Sequence, residues 1–452
     1  AALDAALRAA GGARAAGLVP SLVEMLSDRR CRPRAAEALR DIGQPSMEQL
    51  SALAMDDGAS VDARIAAVRV LGSGDATRGK HLLALLDAED PRLSYAALRA
   101  LVRLRSRTGD LAVDAEQVNT RVRAALDDIY ANLLALELGS WPEVQSAETP
   151  AGLLERTLME DAGEQLDRAF SLLSLTHDID DLRAARKGAT SPLKSTRASS
   201  IEFLDNVLDK TVKQPLLPLL ESADAGQFEA AAGREGVQKE TREGTLGRLL
   251  ESGNPWLRSV ACWTVGTELT ESLGERVKAL ADGDDDTAAV AKLAVEALAK
   301  GSALEARKMG LTVIEKALKL QTVDVLQRAS SEDLGHVAQI AQEVELSPGT
   351  EIYAEGDSAD ALFVVISGSV KLLRGKDEIG TVREGEAFGT WALFDEAPRV
   401  ATAKANEDTL LLKVDRDEFL ELLADRVDIV QAVFRAMVSR LRQLADVVQS
   451  SI

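Results

Sequence analysis

Apolar positions along the first three hundred residues recur at helical spacing and in pairs. The segments "PSLVEMLSDRRCRPRAAEALRDIG", "EQLSALAMDDGASVDARIAAVRVLG" and "KHLLALLDAEDPRLSYAALRALVRL" superimpose. Each reads as an apolar helix, an acidic turn and a second helix opened by a basic or polar residue before two alanines. The alanine pairs Ala35-Ala36, Ala66-Ala67 and Ala96-Ala97 return at about 30 residues, a period typical of stacked helical pairs. Small side chains there let neighbouring helices approach closely.

The pattern returns as "LLESGNPWLRSVACWTVG", where Asn254 and Pro255 open a helix, and as "VKALADGDDDTAAVAKLAVEALAKG". Between these, 113–138 and 153–175 predict longer helices, the second with Leu154, Leu158, Leu166 and Phe170 at near-heptad spacing, so 113–176 is expected to form one enlarged hairpin. Breaks are expected around Pro142 and Pro150 and across 223–244, whose polar, glycine-bearing run predicts a mobile loop. From Leu311 the period changes from 3.6 to 2, with Gly356, Gly368, Gly375, Gly380 and Gly385 punctuating short β-prone segments. The expectation is a multidomain α + β chain. An α-solenoid over 1–310 precedes a small jelly-roll β-barrel with flanking helices over 311–452.

Composition narrows what this architecture does. With 452 residues, 46% hydrophobic but only 3% aromatic, alanine and leucine must supply most of the packing, which favours close helix packing. A net charge of −20 argues against a nucleic-acid surface, although it leaves room for local basic patches. Cys31 and Cys262 lie far apart with no CxxC spacing, so neither a disulfide framework nor a zinc site is indicated, and a reducing cytoplasm fits. No apolar run is long enough to span a bilayer. The start "AALDAALRAA" lacks an initiating Met and reads as a piece of a longer product.

Catalytic chemistry is not signalled. His81, His177 and His336 are scattered, and no His-Glu-x-x-His, G-x-S-x-G, Walker A or G-x-G-x-x-G pattern occurs, so the chain is expected not to be an enzyme. The acidic runs Asp56-Asp57 and Asp284-Asp285-Asp286 fall at predicted helix turns and read as solvated, with no metal site expected.

The helical pairs resemble HEAT-type repeats. Gly349, Glu355-Gly356-Asp357, "ALFVVISGSVKLL", Gly385-Glu386, Phe388-Gly389 and Pro398-Arg399-Val400-Ala401-Thr402 follow in the order of cyclic nucleotide-binding domains, which the C-terminal part resembles. The resemblance makes Phe388 to Thr402 the phosphate-binding cassette, a short helix and one arginine around a cyclic phosphate. Helix-end N–H groups attract anions, and a guanidinium donates paired hydrogen bonds to phosphate oxygens.

Carried over by position, Arg399 is the phosphate clamp, and Gly389, Ala392 and Thr402 supply backbone amides or a hydroxyl. Phe388, Trp391 and Ala401 complete the segment, and Trp391 reads as core rather than as a ligand platform. Thr390 stands where the family keeps a glutamate for the ribose 2′-hydroxyl. Threonine is shorter and uncharged, so cyclic AMP or cyclic GMP would bind more weakly. Asp395 and Glu396, just before Arg399, are candidates to pair with it. After the barrel, Val430, Val433, Phe434, Met437, Leu441 and Leu444 form an apolar helical stripe expected to pack on the barrel or on another copy of the chain. The chain stops at Ile452, before the helix-turn-helix reader that gene regulators with this module carry.

A repeat array followed by such a domain is similar to the soluble tail of bacterial proteins related to the ADP/ATP translocases. There the tail follows a major-facilitator-like membrane domain. The resemblance implies a regulatory module on the cytoplasmic face of a bacterial membrane, its solenoid coupling ligand occupancy to a transporter. The alternative is a non-enzymatic adaptor: a solenoid that docks a protein partner, with a ligand-free barrel as docking or dimerisation lobe.

Overall fold

The computed structural model describes residues 2–450, apart from 29, 75, 110, 140, 147–151, 192, 222–224, 284, 305–309 and 396. Contacts divide the chain into two compact units, Ala1–Thr245 and Leu246–Ile452. Among the described residues no helix is long and apolar enough to cross a membrane.

The first unit is helical. Helices Ala2–Gly12, Arg32–Ile42, Val61–Leu71 and Pro91–Thr108 pack one on the next, each after the first with a shorter helix before it. Local chemistry starts them: the Ser60 hydroxyl accepts from the Ala63 N–H, and the Asp90 carboxylate accepts from the Arg92 N–H at 2.8 Å ahead of Pro91. Ala35, Ala66, Ala67 and Ala97 are buried in the seams.

Two glycines tighten the seams further. A β-carbon on Gly11 would lie 3.0 Å from the Ala38 α-carbon, and one on Gly72 would lie 2.7 Å from the Ala100 β-carbon. The backbones themselves are in contact.

Beyond these, Ala115–Ala135 packs along Leu153–Leu173. Part of the expected mobile loop is instead ordered: Ala225–Arg234 is a helix, while 222–224, like Pro150, lie outside the described residues. Phe228, Ala231 and Ala232 make up its buried stripe, and the Phe228 ring lies 4.9 Å from that of Tyr130. Two alanines and one aromatic among polar residues suffice because the Tyr130 side is already apolar. Tyr130 in turn donates its hydroxyl to the Pro215 carbonyl at 2.7 Å.

In the second unit Pro255–Glu268 packs on Asp286–Lys300 with the same close approach, since a β-carbon on Gly266 would lie 3.0 Å from the Ala294 α-carbon. Asn254 caps the first of these helices and Asp285 the second, its carboxylate accepting from the Ala288 N–H at 2.8 Å. Asp56 accepts from Gly58 N–H and Asp57 pairs with Arg64 at 2.9 Å, so these acids serve turns; Asp284 lies outside the described residues. The pair docks on helix Ser331–Ile340. The Trp256 indole N–H donates to Ser331 Oγ at 3.1 Å, and its ring lies so close that a β-carbon on Gly335 would be 2.6 Å away. Compactness therefore groups these helices with the C-terminal part, although the periodicity changes only at Leu311.

Among the described residues eight strands follow: β1 (Gln342–Leu346), β2 (Glu351–Tyr353), β3 (Ala361–Ser367), β4 (Ser369–Arg374), β5 (Asp377–Arg383), β6 (Ala387–Phe388), β7 (Thr402–Ala405) and β8 (Thr409–Asp415). They form two antiparallel four-stranded sheets, ordered β1-β8-β3-β6 and β2-β7-β4-β5. The expected closed barrel is thus corrected to a sandwich. Strands as short as β6 and β2, the latter with a register shift, carry too few ladder bonds to bridge the sheets.

Between the sheets lie Ala361, Phe363, Val365, Val370, Val382, Phe388, Ala403 and Leu411. The alternate residues Leu362, Val364 and Ile366 are buried on the opposite face of β3, which is why this strand reads as an unbroken apolar run. Gly368 permits the β3–β4 turn: its φ is 83°, and a β-carbon there would sit 2.5 Å from the Asp408 carbonyl oxygen.

Helix Arg416–Asp425 leads to Val427–Ser450. The latter buries Ile429, Ala432, Val433 and Ala436, rotating Phe434 and Leu441 of the expected stripe outward, where they are 63% and 66% exposed; the Leu444 side chain is outside the described set.

Three outcomes are expected. In denaturant melts Gly72→Ala lowers stability by about 1–3 kcal/mol through overpacking, whereas Gly12→Ala, with open space at its β-carbon, is neutral or slightly stabilising. A fragment 246–452 unfolds cooperatively and at a higher temperature than 311–452, which loses the Trp256 seat, as followed by circular dichroism. Asp285→Asn keeps the cap and changes little, while Asp285→Ala loses about 1 kcal/mol by the same melts.

Candidate functional site

The site grows from the junction of β6 with the segment before β7. Phe388 closes β6 in the core, its ring stacked on Phe363 at 5.2 Å with Tyr353 tilted against both. Gly389 then turns the chain with φ 73° into a short 3₁₀ turn, Thr390–Leu393, closed by the Ala392 N–H to the Gly389 carbonyl at 3.0 Å. Ala392 and Leu393 anchor this turn in the interior, while Thr390 is half-buried. Trp391 is not core: it is 54% exposed, with the Arg440 guanidinium carbon 5.4 Å from its ring centroid. Arg440 also pairs with Asp324.

Arg399 arrives from the other side. Its backbone is clamped to the Glu355-Gly356-Asp357 turn, its N–H donating to the Asp357 carbonyl and its carbonyl accepting from the Gly356 N–H, both at 2.8 Å. Two residues on, buried Ala401 leads to Thr402, whose hydroxyl accepts from the Glu355 N–H at 2.9 Å. The structure therefore brings Phe388, Gly389, Ala392, Arg399 and Thr402 around one turn system and leaves Trp391 at its outer rim.

The Arg399 side chain is only 4% exposed. Nη2 donates to the Ala361 carbonyl at 2.8 Å and to Asp360 Oδ1 at 3.2 Å. Nη1 lies against Gly389, where a β-carbon would come within 2.6 Å, so any other residue at 389 would push the guanidinium aside. The guanidinium carbon sits 4.1 Å from the Tyr353 ring centroid, a cation–π seat that fixes its plane. Burial pushes the Tyr353 hydroxyl up from its ordinary pKa, and the Arg399 charge pulls it partly back. Nε is buried and, among the described residues, has no hydrogen-bond partner. A charged donor held this way is a ready seat for an anion, because an unpaired buried N–H costs about 1–3 kcal/mol that an acceptor would recover.

The pairing differs from the local expectation. Asp395 accepts from the Ala397 N–H at 3.1 Å, Glu396 lies outside the described residues, and the carboxylate on Arg399 belongs to Asp360. Sequence reasoning missed Asp360 and Tyr353. Their only signal is position, at the entry to the apolar β3 run and at the end of β2.

Comparison with known proteins agrees with this geometry. Residues 343–426 match the family model described as "Cyclic nucleotide-binding domain". The chain is 28% identical over 138 residues to a CRP-like cAMP-activated global transcriptional regulator of Mycobacterium tuberculosis, covering 28% of this chain and 62% of that protein. It is 30% identical over 132 residues to a cAMP-dependent protein kinase regulatory subunit of Aspergillus niger, covering 29% and 31%. The crystal structure of the N-terminal domain of a transcriptional regulator from Streptomyces coelicolor A3(2) is 30% identical, with 28% of this chain and 95% of that one covered at a TM-score of 0.28. The match thus spans less than two thirds of these curated relatives. Residues 343–426 carry a cyclic nucleotide-binding domain, on a chain whose N-terminal part is helical.

Proposed function

We propose that the sandwich is a sensor for a cyclic nucleoside monophosphate, cyclic AMP or cyclic GMP, in a non-enzymatic regulatory chain. The observation that carries this reading is the Arg399 Nε, a buried charged donor without an acceptor among the described residues, on a guanidinium otherwise fixed by Ala361, Asp360 and Tyr353. A cyclic phosphate has the charge and oxygens to meet it. The relatives named for cAMP support the same ligand class.

The recurring helical pairs support reading the N-terminal part as a HEAT-like array that passes ligand occupancy to a partner. The resemblance to translocase-related tails makes that partner a membrane transporter, with the chain on the cytoplasmic face of a bacterial membrane. The adaptor reading rests on Thr390 and Asp360. The first lacks the acid that a ribose hydroxyl would meet, and the second already offsets part of the Arg399 charge.

Calorimetry on the full chain separates the two. Thr390→Glu is expected to tighten cyclic AMP or cyclic GMP binding by about tenfold or more, the scale of one added charge-assisted hydrogen bond, and Arg399→Ala in that background to abolish it. No binding by either the natural chain or Thr390→Glu at about millimolar ligand would leave the sandwich as a docking lobe.

A further inference from the structure

Helix Ser331–Ile340, whose end leads into β1, carries Glu332, His336 and Gln339 one turn apart, where they meet the starts of the two helices seated on it. At one end of this row Asn254, the cap of Pro255–Glu268, donates through Nδ2 to Glu332 Oε2 at 3.0 Å. At the other, Gln339 Nε2 donates at 2.8 Å to Oδ2 of Asp286, on the first turn of Asp286–Lys300. His336 stands between them, with Nδ1 3.4 Å from Gln339 Oε1 and Nε2 3.8 Å from Glu332 Oε1.

The flanking groups fix the ring's proton. Because the Gln339 amide turns its N–H to Asp286, its oxygen faces the ring and can only accept, which places the neutral ring's proton on Nδ1. Nε2 then presents a lone pair to a carboxylate. It is buried and, among the described residues, has no hydrogen-bond partner. A second proton reverses the interaction: both ring nitrogens become donors, each with an acceptor already facing it, and the contact to Glu332 becomes charge-assisted. Burial pushes the Glu332 carboxyl up, yet His336, Asn254 and the Arg426 charge together hold it below its ordinary range, so the anion that an imidazolium needs is kept.

We propose that His336 is a proton-operated latch at the seat of the helical pair Pro255–Glu268 and Asp286–Lys300. Glu332 and Gln339 make the ties across that seat; an imidazolium between them holds both side chains in place, and a bare Nε2 repels the first. Other charges face the same helix. Asp333 is pushed up by burial against the pull of the Ser330 hydroxyl and His336, with Asp428 adding to the push. Helix Arg416–Asp425 brings Arg416, Asp417, Glu418 and Glu421, helix Val313–Leu320 brings Glu315, Lys316 and Lys319, and β8 brings Lys413 and Asp415. Lys316 donates to the Ala341 carbonyl, Glu315 closes its own cap with Thr312, and Lys413 pairs with Asp415. On the seated pair, Arg258 and Lys292 donate to the Ser252 and Gly283 carbonyls. Near neutrality carboxylates, ammoniums and guanidiniums keep their charge, whereas imidazole changes its own.

The direction follows from which state binds the proton more tightly. The seated state favours the imidazolium, so the latch is fully engaged at the acid end of the imidazole range and is lost as pH rises through it. Glu332, held low, works the other way and fails only when pH falls below the ordinary carboxylate range. His81 and His177 lie in the first unit, so His336 is the histidine that can give the second unit this response.

The test is hydrogen exchange followed by mass spectrometry on the full chain at about pH 6 and about pH 7.8, each rate divided by the intrinsic rate at that pH. Protection of peptides covering 254–268 and 331–340 is expected to be about fivefold higher at the lower pH. His336→Gln is expected to remove this difference. Glu332→Gln, which takes away the carboxylate, is expected to remove most of it and serves if His336→Gln loses protection at both pH values. Equal protection at both pH values in the natural chain, or greater protection at the higher one, overturns the proposal. A difference that persists undiminished in either folded variant overturns it as well.

Discussion

Backbone lying directly on backbone is the constraint on which the helical architecture rests. Gly11 against Ala38, Gly72 against Ala100 and Gly266 against Ala294 are one relation repeated in both units: the end of one helix meets the middle of a later one at an alanine, with no room for a further β-carbon. Such contacts let a chain with 3% aromatic residues reach interior packing density, since dispersion is recovered from main-chain atoms where large rings are absent. They also demand small residues at particular places. Buried alanines at 35, 66, 67 and 97 follow from that demand.

Much of this was legible in the sequence because it is local and periodic. Alanine pairs, Asn254-Pro255 and the switch of period at Leu311 each report geometry within one or two turns of chain. What was not legible depends on distant partners. Whether eight short strands close into a barrel is decided by ladder bonds between strands far apart in the chain, and β6 is too short to supply them. Helix Ala225–Arg234 looked like a loop because its apolar stripe is only Phe228 with two alanines, and the Tyr130 ring that receives it lies far back in the chain. The unit boundary at Leu246 was likewise hidden, because it depends on the seat of Trp256 on Gly335 rather than on a change of composition.

The cassette shows the same division. Its residues from Phe388 to Thr402 were readable as an ordered motif, whereas the surroundings of Arg399 were not. Sequence proximity favoured Asp395, but the strand order brings in Asp360 from the start of β3 and Tyr353 from β2. The guanidinium is thereby held on three sides by a carbonyl, a carboxylate and an aromatic face, with Gly389 leaving the room it needs. A scaffold of this kind keeps one charge in place, and the half-buried Thr390 leaves its surroundings less negative than a glutamate would.

One feature of the cassette reaches beyond binding. Of the four tryptophans, Trp141, Trp256 and Trp263 are all buried at 9% exposure or less, while Trp391 stands in solvent beside Arg440. The indoles are thus sorted by polarity of surroundings, so that three are expected to emit to the blue of the fourth. The protein carries its own optical label at the rim of the cassette, spectrally apart from the rest, and a quencher confined to water would reach that label first.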